Sequence, residues 1–330
     1  MKSIIFAITF ICPPFIKKVL LQLFCGAEFG RGAYIGWFSA VMGQRKIVMG
    51  DYSRVCSLTL IKCDGEFNLG AYSEVSSFSL IYGASSFIMG SHSYIGPQCL
   101  INVSEDVRVG SITSIGPRCL VFTHGSFLPY TEGYWARFAG VEIGDYVIIA
   151  AGAFIHPGVK IGDRVFVNSR SVIKNNVSSG DVVEGFPTKR VAAMDNIQRH
   201  MTPERVDAAA RRMLEHFIRL IIAGRMNLET RMTSADWFSF RWKKRRYNLV
   251  IITSSGEDQE FETLDSDQRY IFISNRRLWK FPAQLKHAWT IGLNPMTAEL
   301  SPDIICQELR LFLKRYYGLK FELKDRKQEE

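Results

Sequence analysis

The chain has 330 residues, 47% of them hydrophobic and 22% charged, with a formal net charge of +9, the composition of a globular protein long enough for two domains. No apolar run is long enough to cross a bilayer, and the seven cysteines form no C-x-x-C pair and no zinc spacing. The positive charge is shared, 15 basic against 11 acidic residues over 1–180 and 26 against 21 over 181–330, so neither half is a polycation built for nucleic acid; mild positive charge suits an anionic small molecule or an acidic glycan instead.

Residues 3–12 are apolar and stop at Pro13-Pro14. The run is short and lacks an Ala-x-Ala site, which argues against a cleaved signal peptide, and odd, unpaired thiols suit a reducing cytoplasm. Phe15 to Phe24 then shows helical periodicity behind a proline start. Residues 1–28 are expected to form an apolar, helical cap over an open β-edge, with a peripheral membrane contact as the alternative.

From residue 29 one phrase repeats seven times, opening at Phe29-Gly30, Met49-Gly50, Leu69-Gly70, Met89-Gly90, Val109-Gly110, Ile143-Gly144 and Ile161-Gly162. A second apolar residue follows six positions later and a third twelve later, so three hexads make one copy. The fifth position of the second hexad is always small: Ser39, Thr59, Ser79, Cys99, Cys119, Ala153 and Ser171. This periodicity predicts a parallel β-helix of about seven coils, in which no strand buries its face until the next coil stacks on it. Cys99 and Cys119 then read as small core residues, and the coil is expected to unravel after Ile173.

The period breaks between Val121 and Val141, where residues 122–140 form an inserted loop. It carries His124, Glu132 and the aromatics Phe127, Tyr130, Tyr134, Trp135 and Phe138, and a loop thrown from a rigid scaffold is where chemistry tends to sit. Beyond the β-helix domain (29–193), residues 194–234 read as a helical connector whose helix starts at Thr202-Pro203. Residues 235–330 read as a small α+β domain, with strands over Phe238–Arg246, Leu249–Thr253 and Tyr270–Ile273 and a helix from Ser301-Pro302-Asp303 to Tyr317-Gly318.

The hexads, the runs Ile143-Gly144-Asp145-Tyr146-Val147-Ile148-Ile149 and Ile155-His156-Pro157-Gly158, and the closing Gly185-Phe186-Pro187-Thr188-Lys189 resemble hexapeptide-repeat acyltransferases of the sugar O-acetyltransferase kind. The resemblance covers roughly residues 15–193. It implies a left-handed β-helix, a homotrimer with active sites between subunits, acetyl-CoA as donor, and a sugar or glycan acceptor in surface-polysaccharide assembly; His92, His124 and His156 lie in different coil contexts with no His-x-x-x-x-His pair, so no metal site is expected. By the family pattern His124 is the general base, although it sits at the fourth place of its hexad and not the sixth, and the Ala151 backbone N–H is the oxyanion donor. Ser169 is placed along the CoA arm, with Arg170 either at a CoA phosphate or in solvent and Lys189 and Arg190 either phosphate partners or ordinary surface charge; Glu132 would orient the histidine or bind an acceptor hydroxyl, and Tyr134 and Trp135, with the other loop aromatics, would stack on a sugar ring or pack the loop on the prism. His156 reads as a turn residue or, from its place beside the groove, a minor catalytic candidate, and His92 as a solvated corner. Two other readings stay open: N-acetylation of an amino sugar nucleotide, and a non-catalytic trimeric scaffold.

Overall fold

The computed structural model describes residues 2–43, 45–125, 130–133, 135–253, 264–275, 285–294 and 296–325. They belong to two units, Met1–Arg199 and His200–Glu330.

In the first unit the sequence period becomes strand register. Phe29, Met49, Leu69, Met89, Val109, Ile143 and Ile161 are successive Cα partners on one face. Ile35, Val55, Val75, Ile95, Ile115, Ile149 and Val167 stack on a second. Val41, Ile61, Ile81, Ile101, Val121, Ile155 and Ile173 stack on a third. All but Phe29 are buried, and the chain winds as a left-handed parallel β-helix. The first edge of this prism joins faces one and two, the second edge joins two and three, and the third joins three and one.

The recurring Gly after the opening apolar residue has a steric cause. A Cβ on Gly110 or Gly144 would collide with Asp145 or Asp163 of the following coil. Those carboxylates accept the backbone N–H of Ser111 at 2.6 Å and of Asp145 at 2.8 Å, tying coil to coil.

The small residues at the second edge are donors as well as fillers. Ser39 Oγ donates to Cys56 O at 2.8 Å, Thr59 Oγ1 to Ser76 O at 3.0 Å and Ser79 Oγ to Gly96 O at 3.0 Å. Cys99 and Cys119 continue the column by donating Sγ–H to Gly116 O and Ala150 O at 3.1 and 3.2 Å. The expectation that these thiols are merely small core residues is therefore too narrow: each satisfies a carbonyl that burial would otherwise orphan.

The first coil has no coil above it to supply such donors. Helix α1 (Lys2–Ile11) and helix α2 (Pro14–Cys25) fill that place. From α2 the fully buried Lys17 ammonium donates to Gly36 O at 2.6 Å and Ser39 O at 2.7 Å. In lower coils the first of these carbonyl positions is served by the Ser/Thr column, and the second by a backbone N–H such as Ala40 N to Thr59 O. One lysine thus replaces two donors of an absent coil. Burial pushes its pKa down from 10.5 to about 8.

The other end does not unravel after Ile173 as expected. Val177 bridges to Ile161, and Val182 and Val183 pair parallel with Phe166 and Val167. Lys189–Ala193 then folds back antiparallel and closes that edge. This partial eighth coil lacks the apolar-Gly phrase, so periodicity did not reveal it.

The second unit is a seven-stranded mixed sheet, in spatial order Thr230–Ser234, Trp237–Trp242, Arg245–Ile252, Arg269–Ser274, Ala288–Gly292, Thr297–Glu299 and Glu322–Lys324. The three central strands run parallel. Helices Pro203–Phe217 and Ile304–Tyr317 bury Leu214, Phe217, Leu309 and Phe312 against Leu249, Ile251, Ile271 and Ile273. The stretch 194–234, expected as a connector, thus supplies this sheet with a helix and an edge strand. The expected single strand Phe238–Arg246 is instead a hairpin, turning at Lys243 and Lys244 with φ of 48° and 64°. No Gly or Asn marks that left-handed turn in the sequence.

Candidate active site

His124 leaves the last residues of face three and stands at the third edge. The inserted loop is zipped at its base, where His124–Gly125 pairs antiparallel with Arg137–Phe138. The imidazole stacks on the Phe138 ring at 6.0 Å between centroids, tilted by 17°.

Its Nδ1 lies 2.8 Å from Asn102 Oδ1 and 3.2 Å from Ser104 Oγ, both from the preceding coil. Asn102 is buried, and the same Oδ1 accepts the Ser104 backbone N–H at 3.1 Å and the Thr123 hydroxyl at 2.9 Å. A backbone N–H can only donate, so that atom is the amide oxygen. His124 Nδ1 then carries the proton and donates to it, which leaves Nε2 as the basic nitrogen. Neither Asn102 nor Ser104 was singled out in the sequence; the residue at one coil's spacing before the histidine was the available signal.

The expected acceptor residues gather only in part around the ring. Trp135 is exposed and lies over Gly125, where an added Cβ would meet its ring at 3.3 Å. Glu132 is exposed on the one-turn 3-10 helix Tyr130–Glu132, with no bond to His124 among the described residues. Tyr134 and Phe127 lie outside the described residues, as does the side chain of Tyr130.

His156 is not a simple turn residue. It stacks on Phe154 at 4.4 Å, and burial together with the nearby Lys174 and Arg137 charges lowers its pKa. His92 is half-buried and stacked on Tyr72 at 4.9 Å, not a solvated corner.

The expected donor-side residues lie on another edge. Ala151, Ser169 and Arg170 are exposed on the second edge, where Arg170 turns with φ 59° and gives its N–H to Ala151 O. The Ala151 N–H has no acceptor among the described residues, a condition it shares with Ser169. In the same column the preceding coils carry Pro97 and Pro117, which have no N–H at all. Lys189 is exposed on the final strand, whereas Arg190 is paired with Asp181 and is not a free cation. Within one chain, then, His124 stands on one edge and Ala151, Ser169 and Arg170 on another. An open groove of about 580 Å³ along Arg108–Gly110, Glu142–Gly144 and Lys160–Gly162 contains none of these residues.

Residues 140–175 match the family model described as bacterial transferase hexapeptide (six repeats). No curated protein matches the chain. Among solved structures, a variant of AntD, an N-acyltransferase from Bacillus cereus in complex with dTDP and coenzyme A, is 16% identical, covers 54% of this chain and 88% of its own, and superposes with a TM-score of 0.39. A hexapeptide-repeat acetyltransferase from Vibrio cholerae O1 biovar eltor, complexed with acetyl coenzyme A, is 16% identical over 58% of this chain and 84% of its own, with a TM-score of 0.33. A maltose O-acetyltransferase from Clostridium difficile 630 is likewise 16% identical over 58% of this chain and 83% of its own, with a TM-score of 0.32.

Proposed function

We propose that this hexapeptide-repeat chain is an acetyl-CoA-dependent acetyltransferase that acylates a sugar hydroxyl. The observation that carries the reading is the fixed tautomer of His124. Asn102 holds Nδ1–H at 2.8 Å, so Nε2 is left to take a proton. Histidine suits that task because its unperturbed pKa lies near neutrality.

In the proposed step Nε2 takes the acceptor hydroxyl proton while the oxygen attacks the thioester carbonyl. The tetrahedral oxyanion is met by the Ala151 N–H, and its collapse expels the CoA thiolate, which recovers the proton from the imidazolium. The new ester bond replaces the thioester bond, no acyl-enzyme forms and no metal is needed. Because base and oxyanion donor stand on different edges, the reading requires one chain's third edge to face another chain's second edge. A closed cyclic homotrimer provides that juxtaposition three times over. Trp135 and Phe138, both exposed, would offer apolar faces to the sugar ring. Lys189 is the better placed partner for a CoA phosphate, since Arg190 is engaged by Asp181.

The test is CoA release by the purified full chain with paired acceptors that differ only in carrying a hydroxyl or an amine. The hydroxyl acceptor is expected to turn over, and His124→Ala to lower that rate by about 10²–10⁴-fold. Faster release with the amine would make the enzyme an N-acetyltransferase using the same base. Equal turnover by wild type and His124→Ala would discard the base.

A further inference from the structure

We propose that the two N-terminal helices are a docking face for an anionic lipid bilayer surface, on which the protein lies without crossing it. Helix α1 buries Ile5 and Thr9 toward the prism, yet its outer side carries Ile4, Ile8 and Ile11, exposed by 65%, 47% and 70%. The one polar side chain in its second half, Thr9, is turned inward and bonds Phe6 O at 2.9 Å. A helix apolar on both sides requires a second apolar surrounding.

Helix α2 inverts the usual amphipathic order. Its lysine at position 17 is fully buried, while Phe15, Val19 and Leu23, at helical spacing, are exposed by 75%, 52% and 72%. Six large apolar side chains on two successive helices are thus left in solvent, and exposed apolar side chains grouped in this way mark an interaction surface. The buried lysine is already explained by the carbonyls it caps; the exposed stripe is not explained by anything in the prism.

Charge identifies the occupant. Residues 1–62, which build both helices and the first coils, hold seven basic side chains besides the buried Lys17 and two acidic ones, whereas residues 63–199 hold ten basic and twelve acidic. Positive charge gathered around an apolar face is the pattern that binds anionic headgroups while inserting side chains at the acyl boundary. The helices have 10 and 12 residues, and no helix among the described residues is long and apolar enough to cross a membrane, so the contact is interfacial.

The experiment is cosedimentation of the full chain with phosphatidylcholine vesicles, with and without phosphatidylglycerol. Wild type is expected to pellet with the anionic vesicles and to be released by salt. The double variant Phe15→Glu/Leu23→Glu, changed at two exposed positions, is expected to bind at least about tenfold less, with unchanged circular dichroism. Absence of wild-type binding, or undiminished binding by the double variant, overturns the proposal. A wild-type mass in velocity sedimentation that falls in the double variant, without vesicle capture, would assign the face to a second copy of the chain instead. None of these outcomes depends on the acetyl-transfer reading.

Discussion

Buried polar groups in the first unit come in columns, one Ser, Thr or Cys in each of the first five coils along the second edge, each answering a carbonyl of the next coil. The second unit instead concentrates a set of polar contacts around one buried carboxylate, Asp303. Asp303 caps the helix Ile304–Tyr317 through the N–H groups of Ile305 and Cys306, accepts the Tyr247 hydroxyl at 2.9 Å and pairs with Arg269. The Arg269 guanidinium is in turn held over the rings of Tyr247 and Trp289. The contrast teaches that a solenoid spreads its polar requirements over equal, replaceable steps, while a compact mixed sheet concentrates them in a hub.

The sharpest way to break this comparison is Asp303→Ala. It strands a nearly buried guanidinium and is expected to cost about 3–5 kcal/mol. Denaturant unfolding should show the loss in the transition that reports Trp237, Trp242 and Trp289, while the first unit's transition stays in place. Equal shifts in both would show that the units do not store stability separately.

Next in size is Lys17→Met, which leaves the Gly36 and Ser39 carbonyls without their donor at the top of the prism. The expected cost is about 2–3 kcal/mol, read by hydrogen exchange as faster opening of the first coil than of the coils below. The pH dependence has a definite sign. The folded-state pKa of about 8 lies below 10.5, so the unfolded chain holds the extra proton between those values. Stability of the first unit therefore rises with pH across that window, and Lys17→Met should flatten the rise.

Asn102→Ala frees the His124 ring to turn and should lower kcat about tenfold with little change in KM, as expected of a residue that orients the proposed base. Asn102→Asp should restore much of kcat, because a carboxylate oxygen still accepts the Nδ1–H and holds the ring in place. The smallest effect is Thr59→Val in the middle of the column. It removes one donor, to Ser76 O, for about 1 kcal/mol. A loss as large as that of Asp303→Ala would erase the distinction between column and hub.

The same contrast governs what could be read in advance. All seven apolar-Gly phrases fall in register because one spacing rule serves every coil, and each error in it would turn a whole face outward. The partial eighth coil escaped because Val177 and Val183 follow a different spacing with no Gly after them. In the second unit the strands are locally visible, but their order is set by packing between distant segments, and the Lys243-Lys244 turn carries no sequence mark. At the candidate site His124 was legible from its loop and neighbours. Asn102 was not, since its role exists only once coils stack and bring it beside the imidazole. That Ala151 and His124 stand on different edges is likewise a property of the prism and not of the string.

That separation gives the most direct test of the proposed chemistry. Ala151→Pro deletes the N–H at a place where the column already accepts Pro97 and Pro117, so the backbone is expected to tolerate it. His124→Ala and Ala151→Pro chains, each inactive alone, are co-refolded in equal amounts and assayed for acetyl transfer. If each site joins the third edge of one chain to the second edge of its neighbour, about one quarter of the sites recover both groups and activity returns to roughly that fraction of wild type. A mixture no more active than either variant alone would contradict a site shared between chains.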